Sequence, residues 1–196
     1  MTPLLTGVFA SQISGHLNTF TPSSSYDSLA TYTVPSGGIS SITFSVSGIT
    51  NYSHLQIRYI ARDVSSTNDG NSAVLRFNLD SGSNYVRHYL LGDGSSTPAG
   101  SVQNLTGIDG GLIQGGGGTA TCYSAGVIDI LDYNSSTKYK TVRSLSGNNT
   151  NSSSAVNYVE FESGLWLNTS AINSIDISCN GGNLAQYSQF SIYGVR

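Results

Sequence analysis

Charge is what this chain has least of. Only 10% of its 196 residues are Asp, Glu, Lys or Arg, against about 25% in an ordinary globular chain. The formal net charge is −3 and there is no basic run. A phosphate-dominated partner such as nucleic acid is therefore excluded, because its affinity comes from clustered Lys and Arg. Cysteine is nearly absent: Cys122 and Cys179 are too few for a disulfide scaffold and are expected as buried free thiols in strands, with a bridge between them as the alternative. No apolar run reaches the ~18 residues of a membrane-spanning helix, so no membrane insertion is expected. The apolar stretch near the N-terminus has no Lys or Arg ahead of it, which does not fit a signal peptide. The chain is expected to remain where it is made or to leave as part of a particle.

Reactive constellations are scarce as well. His16, His54 and His88 form no pattern with metal-ligand spacing. The run Gly115–Gly118 is not followed by Gly-Lys-Ser/Thr, so it is no phosphate loop. No serine sits in Gly-x-Ser-x-Gly. Asp69, Asp80, Asp93 and Asp109 lie in Gly-rich turns but lack the spacing of a calcium loop. Glu160 and Glu162 share one face of a strand, and paired carboxylates are the acid and base of glycoside cleavage. With no sugar-binding aromatic pattern and no arginine beside them in sequence, a solvated face is the expectation. Asp129 is less ordinary. It interrupts the apolar run Val127–Leu131, and a carboxylate there needs a partner. Arg143, Lys140 or a strand of another subunit are the candidates, making a structural ion pair or an inter-subunit contact. No catalytic, cofactor-binding or metal residue is assigned, no cofactor is expected, and the chain is not expected to be an enzyme.

What the chain has is Gly, Ser, Thr and Asn in quantity, with 23 Gly and 12 Tyr, and a period-two pattern. Ile42, Phe44 and Val46 alternate with Ser and Thr, and Leu55, Ile57, Tyr59 and Ala61 alternate with His54, Gln56, Arg58, Ile60 and Arg62. This is the signature of half-buried strands. In 83–92, Tyr85, Arg87, Tyr89 and Leu91 oppose Val86, His88 and Leu90. Both faces are mixed there, as if one is covered by a neighbour. The strongest local signal is 125–147, where GVIDILDY and KYKTVRSL flank Asn134–Thr137. That arrangement predicts a β-hairpin in a sheet interior. A strand over 154–168, bulged at Gly164 and carrying Trp166, and strands over 172–179 and 186–196 follow. Ala73, Leu75, Phe77 and Leu79 are expected inward. The Gly-rich stretch 93–121 is irregular, with short edge strands around 103–105 and 111–113.

About nine or ten short strands joined by Gly/Asn/Ser turns predict an all-β protein: an antiparallel, jelly-roll-like β-sandwich over 28–196. Residues 1–27 are expected to form a distinct arm carrying Leu4, Leu5, Val8, Phe9, Ile13 and Leu17, with a helix of two turns around 8–14. The arm either docks on another protein or packs along its own sandwich. The tyrosines suit protein interfaces and stacking on sugar rings, though most are expected in the core or in cross-strand pairs.

The segments ISGHL (13–17), VPSGG (34–38), SHLQIRYIAR (53–62), GVIDILDYNSSTKYKTVRSLSG (126–147), SGLWLNTSAINSIDI (163–177) and QFSIYGVR (189–196) resemble small β-sandwich virion proteins of tailed bacteriophages. The resemblance implies a virion structural protein assembled in the host cytoplasm, and it supplies no catalytic residues. The expected role is that of a tail-fibre or baseplate-associated protein. It would dock on other virion proteins by its arm and present the sandwich to a host surface glycan or protein, as a homo-oligomer, most naturally a trimer. A capsid decoration protein is the alternative, and a glycan-degrading enzyme a third. Specificity is expected in the loops 63–72, 93–121 and 147–154.

Overall fold

The computed structural model describes residues 25–65, 70–150 and 157–196. The arm up to residue 24, its helical turns, His16, Asp69 and the loop 151–154 lie outside the described residues. Twelve strands are present among them: β1 (Tyr26–Thr33), β2 (Ser41–Ser45), β3 (His54–Ala61), β4 (Gly70–Phe77), β5 (Tyr85–Gly92), β6 (Ala99–Leu105), β7 (Ile108–Gln114), β8 (Ser124–Ile130), β9 (Lys140–Gly147), β10 (Val159–Trp166), β11 (Ser174–Cys179) and β12 (Gln189–Val195). They form an eight-stranded sheet, β1-β12-β3-β8-β9-β10-β5-β6, packed on a four-stranded sheet, β2-β11-β4-β7. Every strand pair is antiparallel.

The strand order has a simple origin. β1 pairs with β12, β2 with β11, β3 with β8 and β4 with β7. First pairs with last and each later strand with the next one inward, as in a long antiparallel ribbon rolled into two sheets. That rolled ribbon is a jelly roll. Two hairpins are inserted into it. β5–β6 lies between β4 and β7, and β9–β10 lies between β8 and β11. β9 joins β8, β10 joins β9, and β5 joins β10. The insertions thus double one sheet and leave the other narrow.

The alternation seen in the sequence sets the core. Ile42, Phe44, Leu55, Ile57, Leu75, Phe77, Ile128, Ile175, Ile177 and Ile192 point between the sheets and are buried. Trp166 stacks on Tyr85, with ring centroids 6.3 Å apart, and Phe77 tilts against both. The hairpin of β8 and β9 occupies the centre of the large sheet. Its connection runs over 131–139 rather than four residues. Asp132, at φ 52°, turns the chain there, and its carboxylate accepts a hydrogen bond from Lys138 Nζ at 2.8 Å.

Several expectations are corrected. Leu79 does not face inward: β4 ends at Phe77, and Asn78 and Leu79 take left-handed conformations that leave Leu79 exposed. Asp109 lies in β7, not in a turn. Cys122 lies in a loop rather than a strand, and both cysteines are free and only half-buried. The pairing of β10 runs without a register shift, so Gly164 makes no bulge. Its small size has another cause. A Cβ there would sit 2.6 Å from Ile108 Cγ2 across the sandwich. Gly164→Ala is therefore expected to cost about 1–3 kcal/mol through overpacking, read as a lowered urea midpoint with an unchanged slope.

The Gly-rich middle is held from inside. Arg62, placed outward by alternation, is instead buried. Its Nη1 donates to the carbonyls of Thr119 (2.6 Å) and Cys122 (3.0 Å), and Nη2 to those of Gly116 and Gly118, both at 2.9 Å. Asp63 Oδ1 accepts from the backbone N–H of Gly116 at 2.6 Å and of Ser65 at 2.9 Å. One guanidinium thus gathers four loop carbonyls, of which that of Thr119 also accepts from the Cys122 N–H at 3.0 Å.

Candidate functional site

Two features stand out where the inserted hairpins meet the jelly roll. The first is internal. On β10, Glu160, Glu162, Gly164 and Trp166 share the inward face. Glu162 is 1% exposed and Glu160 6%, so the solvated face expected for them is overturned. The cause is parity: Trp166 and Gly164 fix which side of β10 faces the core, and the glutamates follow in phase. Arg87 stands opposite Gly164 on β5 and so faces inward too. Its Nη1 bridges the carboxylates of Glu162 and Asp109, the latter on the edge strand β7.

This puts one guanidinium among three carboxylates. Burial pushes the Glu162 carboxyl up to about 8, helped by the neighbouring charges of Glu160 and Asp109, while Arg87 pulls it back. Burial likewise raises Glu160 and Asp109. Glu160 Oε2, Glu162 Oε2 and Arg87 Nε are buried without hydrogen-bond partners. Such a cluster favours holding a proton, because one guanidinium leaves two of the three carboxylate charges uncompensated in this interior. Arg87 and Asp109 also line a cleft of about 330 Å³ with Arg76, Thr106, Ser178 and Asn180. The two glutamates lie behind it and do not line it.

The second feature is external. Register places Arg58, Val127, Leu145, Phe161, Leu90 and Ala99 in one row across β3, β8, β9, β10, β5 and β6. The next row holds Ile60, Ala125, Gly147, Val159 and Gly92. Ile60, Val127, Leu145, Val159, Phe161 and Leu90 are between 37% and 61% exposed. Scattered exposed apolar residues are ordinary, but these six form one contiguous patch over five strands.

The row on the other flank is polar and internally matched. Asp129 finds Arg143, one of its expected partners, at 3.6 Å, and accepts from Gln56 Nε2 at 2.8 Å. Gln56 Oε1 accepts from Arg58 Nε at 2.8 Å, and the Arg58 guanidinium lies over the rings of Tyr26 and Tyr193. Asp129 faces outward, not into the core. Lys140, the other candidate on this chain, is buried elsewhere and donates to the carbonyls of Lys138 and Thr169.

The remaining candidates are dispersed. His54 Nδ1 accepts from the Asp132 backbone N–H at 2.9 Å, and His88 is exposed on β5. Asp93 gathers the N–H and hydroxyl groups of Ser95 and Ser96, and Asp80 accepts from Trp166 Nε1 at 2.8 Å. Those bonds hold both carboxyls below their ordinary range. Among the described residues no group of three or more His, Cys, Asp or Glu is placed to hold a metal ion. Of the tyrosines, Tyr59, Tyr85 and Tyr133 are buried, and Tyr26, Tyr139 and Tyr187 are the most exposed. No protein-family model matches the chain, and no curated protein is significantly similar to it.

Proposed function

We propose that this chain is a structural protein of a tailed-bacteriophage particle, of the tail-fibre or baseplate kind. In this reading it attaches through its N-terminal arm, works as a homo-oligomer and presents its sandwich toward the host surface. The observation that carries the reading is the apolar patch on the outer face of the eight-stranded sheet, which fits a protein made to assemble with protein. The rest of the architecture agrees with it. The rolled ribbon and its two inserted hairpins form a scaffold, and the buried glutamates Glu160 and Glu162 are walled in behind Arg87. A sugar ring has no approach to a carboxylate that is 1% exposed, which favours a scaffold over a glycan-degrading enzyme.

The test is a side-chain-resolution map of the intact particle, together with deletion of residues 1–20. Copies at the tail tip or baseplate are expected. Copies spread over the shell would instead make this a decoration protein. The truncated chain is expected to keep the circular dichroism and thermal midpoint of the sandwich while its occupancy in particles falls to background. Normal occupancy of the truncated chain would overturn the anchoring role of the arm.

A further inference from the structure

We infer that the outer face of the eight-stranded sheet is covered by a second copy of this chain, packed face to face through Val127, Leu145, Phe161 and Leu90. The inference rests on reading the chain as an assembly protein and adds the identity of the partner.

Three observations support a second copy. The first is size. The sheet has eight strands of about seven residues. At about 4.8 Å between strands and 3.4 Å per residue, its face spans roughly 35 by 24 Å, on the order of the ~800 Å² per partner of a standard interface. The second is layout. The apolar rows run across five strands, at the end of the sheet where β8 and β10 begin and β3, β9 and β5 end, and the polar row of Gln56, Asp129 and Arg143 borders them on the inner side. An apolar strip edged by polar groups has the composition of a specific interface and its rim.

The third is charge. The charged groups bordering the patch already have partners on this face: Asp129 with Arg143 and Gln56, and Arg58 with Gln56 and two tyrosine rings. Covering the face therefore strands no lone charge. It also requires no oppositely charged partner, only another apolar sheet face of the same width. A second copy brings one, and two twisted sheets pack at about 10 Å, as sheets do inside sandwiches.

The full-length chain at about 100 µM, well above the micromolar Kd typical of a modest specific interface, is measured by sedimentation velocity and light scattering. The wild type is expected as an oligomer. The double substitution Leu145→Lys with Phe161→Lys, and separately Leu90→Lys, are expected to give monomers with unchanged circular dichroism. All three residues are about half exposed, so folding does not depend on burying them. Tyr139→Lys, which alters an exposed residue away from the patch in the β8–β9 connection, is expected to leave the oligomer intact. A monomeric wild type, or an oligomer whose mass survives all the patch substitutions, would overturn the inference. If that monomer still enters particles, the virion reading stands without the pairing. If patch substitutions disperse an oligomer that never enters particles, the pairing stands and the virion reading falls.

Discussion

Replacing Glu162 by Gln is expected to stabilise the protein at pH 9 and to change little at pH 4.5. The glutamine keeps the shape of the protonated acid and removes the charge that burial opposes. The sign follows from linkage. In the unfolded chain this carboxyl titrates at its ordinary 4.5, and in the folded protein at about 8. The folded state therefore holds a proton that the unfolded state has released between those values. The stability contributed is complete below about pH 4.5 and is lost as pH rises through about 8. The raised Glu160 and Asp109 act in the same sense.

On the acid side the order reverses. Asp80, Asp93 and Asp132 are held below their ordinary value by hydrogen bonds, so their contribution is lost as pH falls below the usual carboxylate range. A stability maximum in mildly acidic solution results. The gain from Glu162→Gln at pH 9 is on the order of 2–4 kcal/mol, since each tenfold change in proton affinity corresponds to about 1.4 kcal/mol and the neighbouring acids share the effect. Urea midpoints of wild type and variant at pH 4.5, 7 and 9 measure it. A constant difference at all three values would refute the proton-holding cluster. Arg87→Met gives the opposite pattern. It leaves three acids without their cation and is expected to cost about 3–5 kcal/mol at pH 8, and less in acid, where the acids are neutral.

Arg62→Ala is expected to cost about 3 kcal/mol and to release the Gly-rich stretch 115–123. The guanidinium is buried and donates to four loop carbonyls. A hydrogen bond to a charged group contributes about 1.5–3 kcal/mol, and the four are not additive because they share one side chain. The carbonyls of the half-buried Gly116, Gly118 and Cys122 lose this donor and add to the cost. Hydrogen exchange is expected to rise sharply in 115–123 and little in β3, where Leu55, Ile57 and Ala61 stay packed. Arg62→Lys restores the charge but not the fork that reaches two pairs of carbonyls at once, so it should recover less than half the loss. Exchange in 115–123 that stays at the wild-type level in Arg62→Ala would show that the loop is held by other means.

Much of the fold is legible in the sequence alone. Alternating Ile42, Phe44 and Val46, the inward set of β3, and Ile175 with Ile177 all face where the pattern places them. The β8–β9 hairpin, two edge strands within 93–121 and a sandwich of antiparallel strands are legible in the same way. The acidic cluster is not, although a signal exists. Trp166 lies in phase with Glu160 and Glu162, and the one tryptophan of the chain outweighs Phe161 as a marker of the buried side. Taking charge as the marker inverts the strand. Arg87 and Asp109 carry no such signal, because they are remote in sequence from the glutamates and from each other. The outer patch is equally hidden. Val127, Leu145, Phe161 and Leu90 lie in four different strands far apart in the chain, and only the register lines them up.

Local sequence determined what depends on neighbours one or two residues apart: strand periodicity, turn positions and, for most strands, the buried side. Steric alternation along an extended chain is enough for that. Tertiary structure decided what depends on strands far apart in the chain. It placed both hairpin insertions on one sheet, set Arg87 between Glu162 and Asp109, turned Arg62 inward to hold a distant loop, and assembled an apolar patch from five strands. These are consequences of register between distant segments, and a single strand carries no record of the partner beside which it will lie.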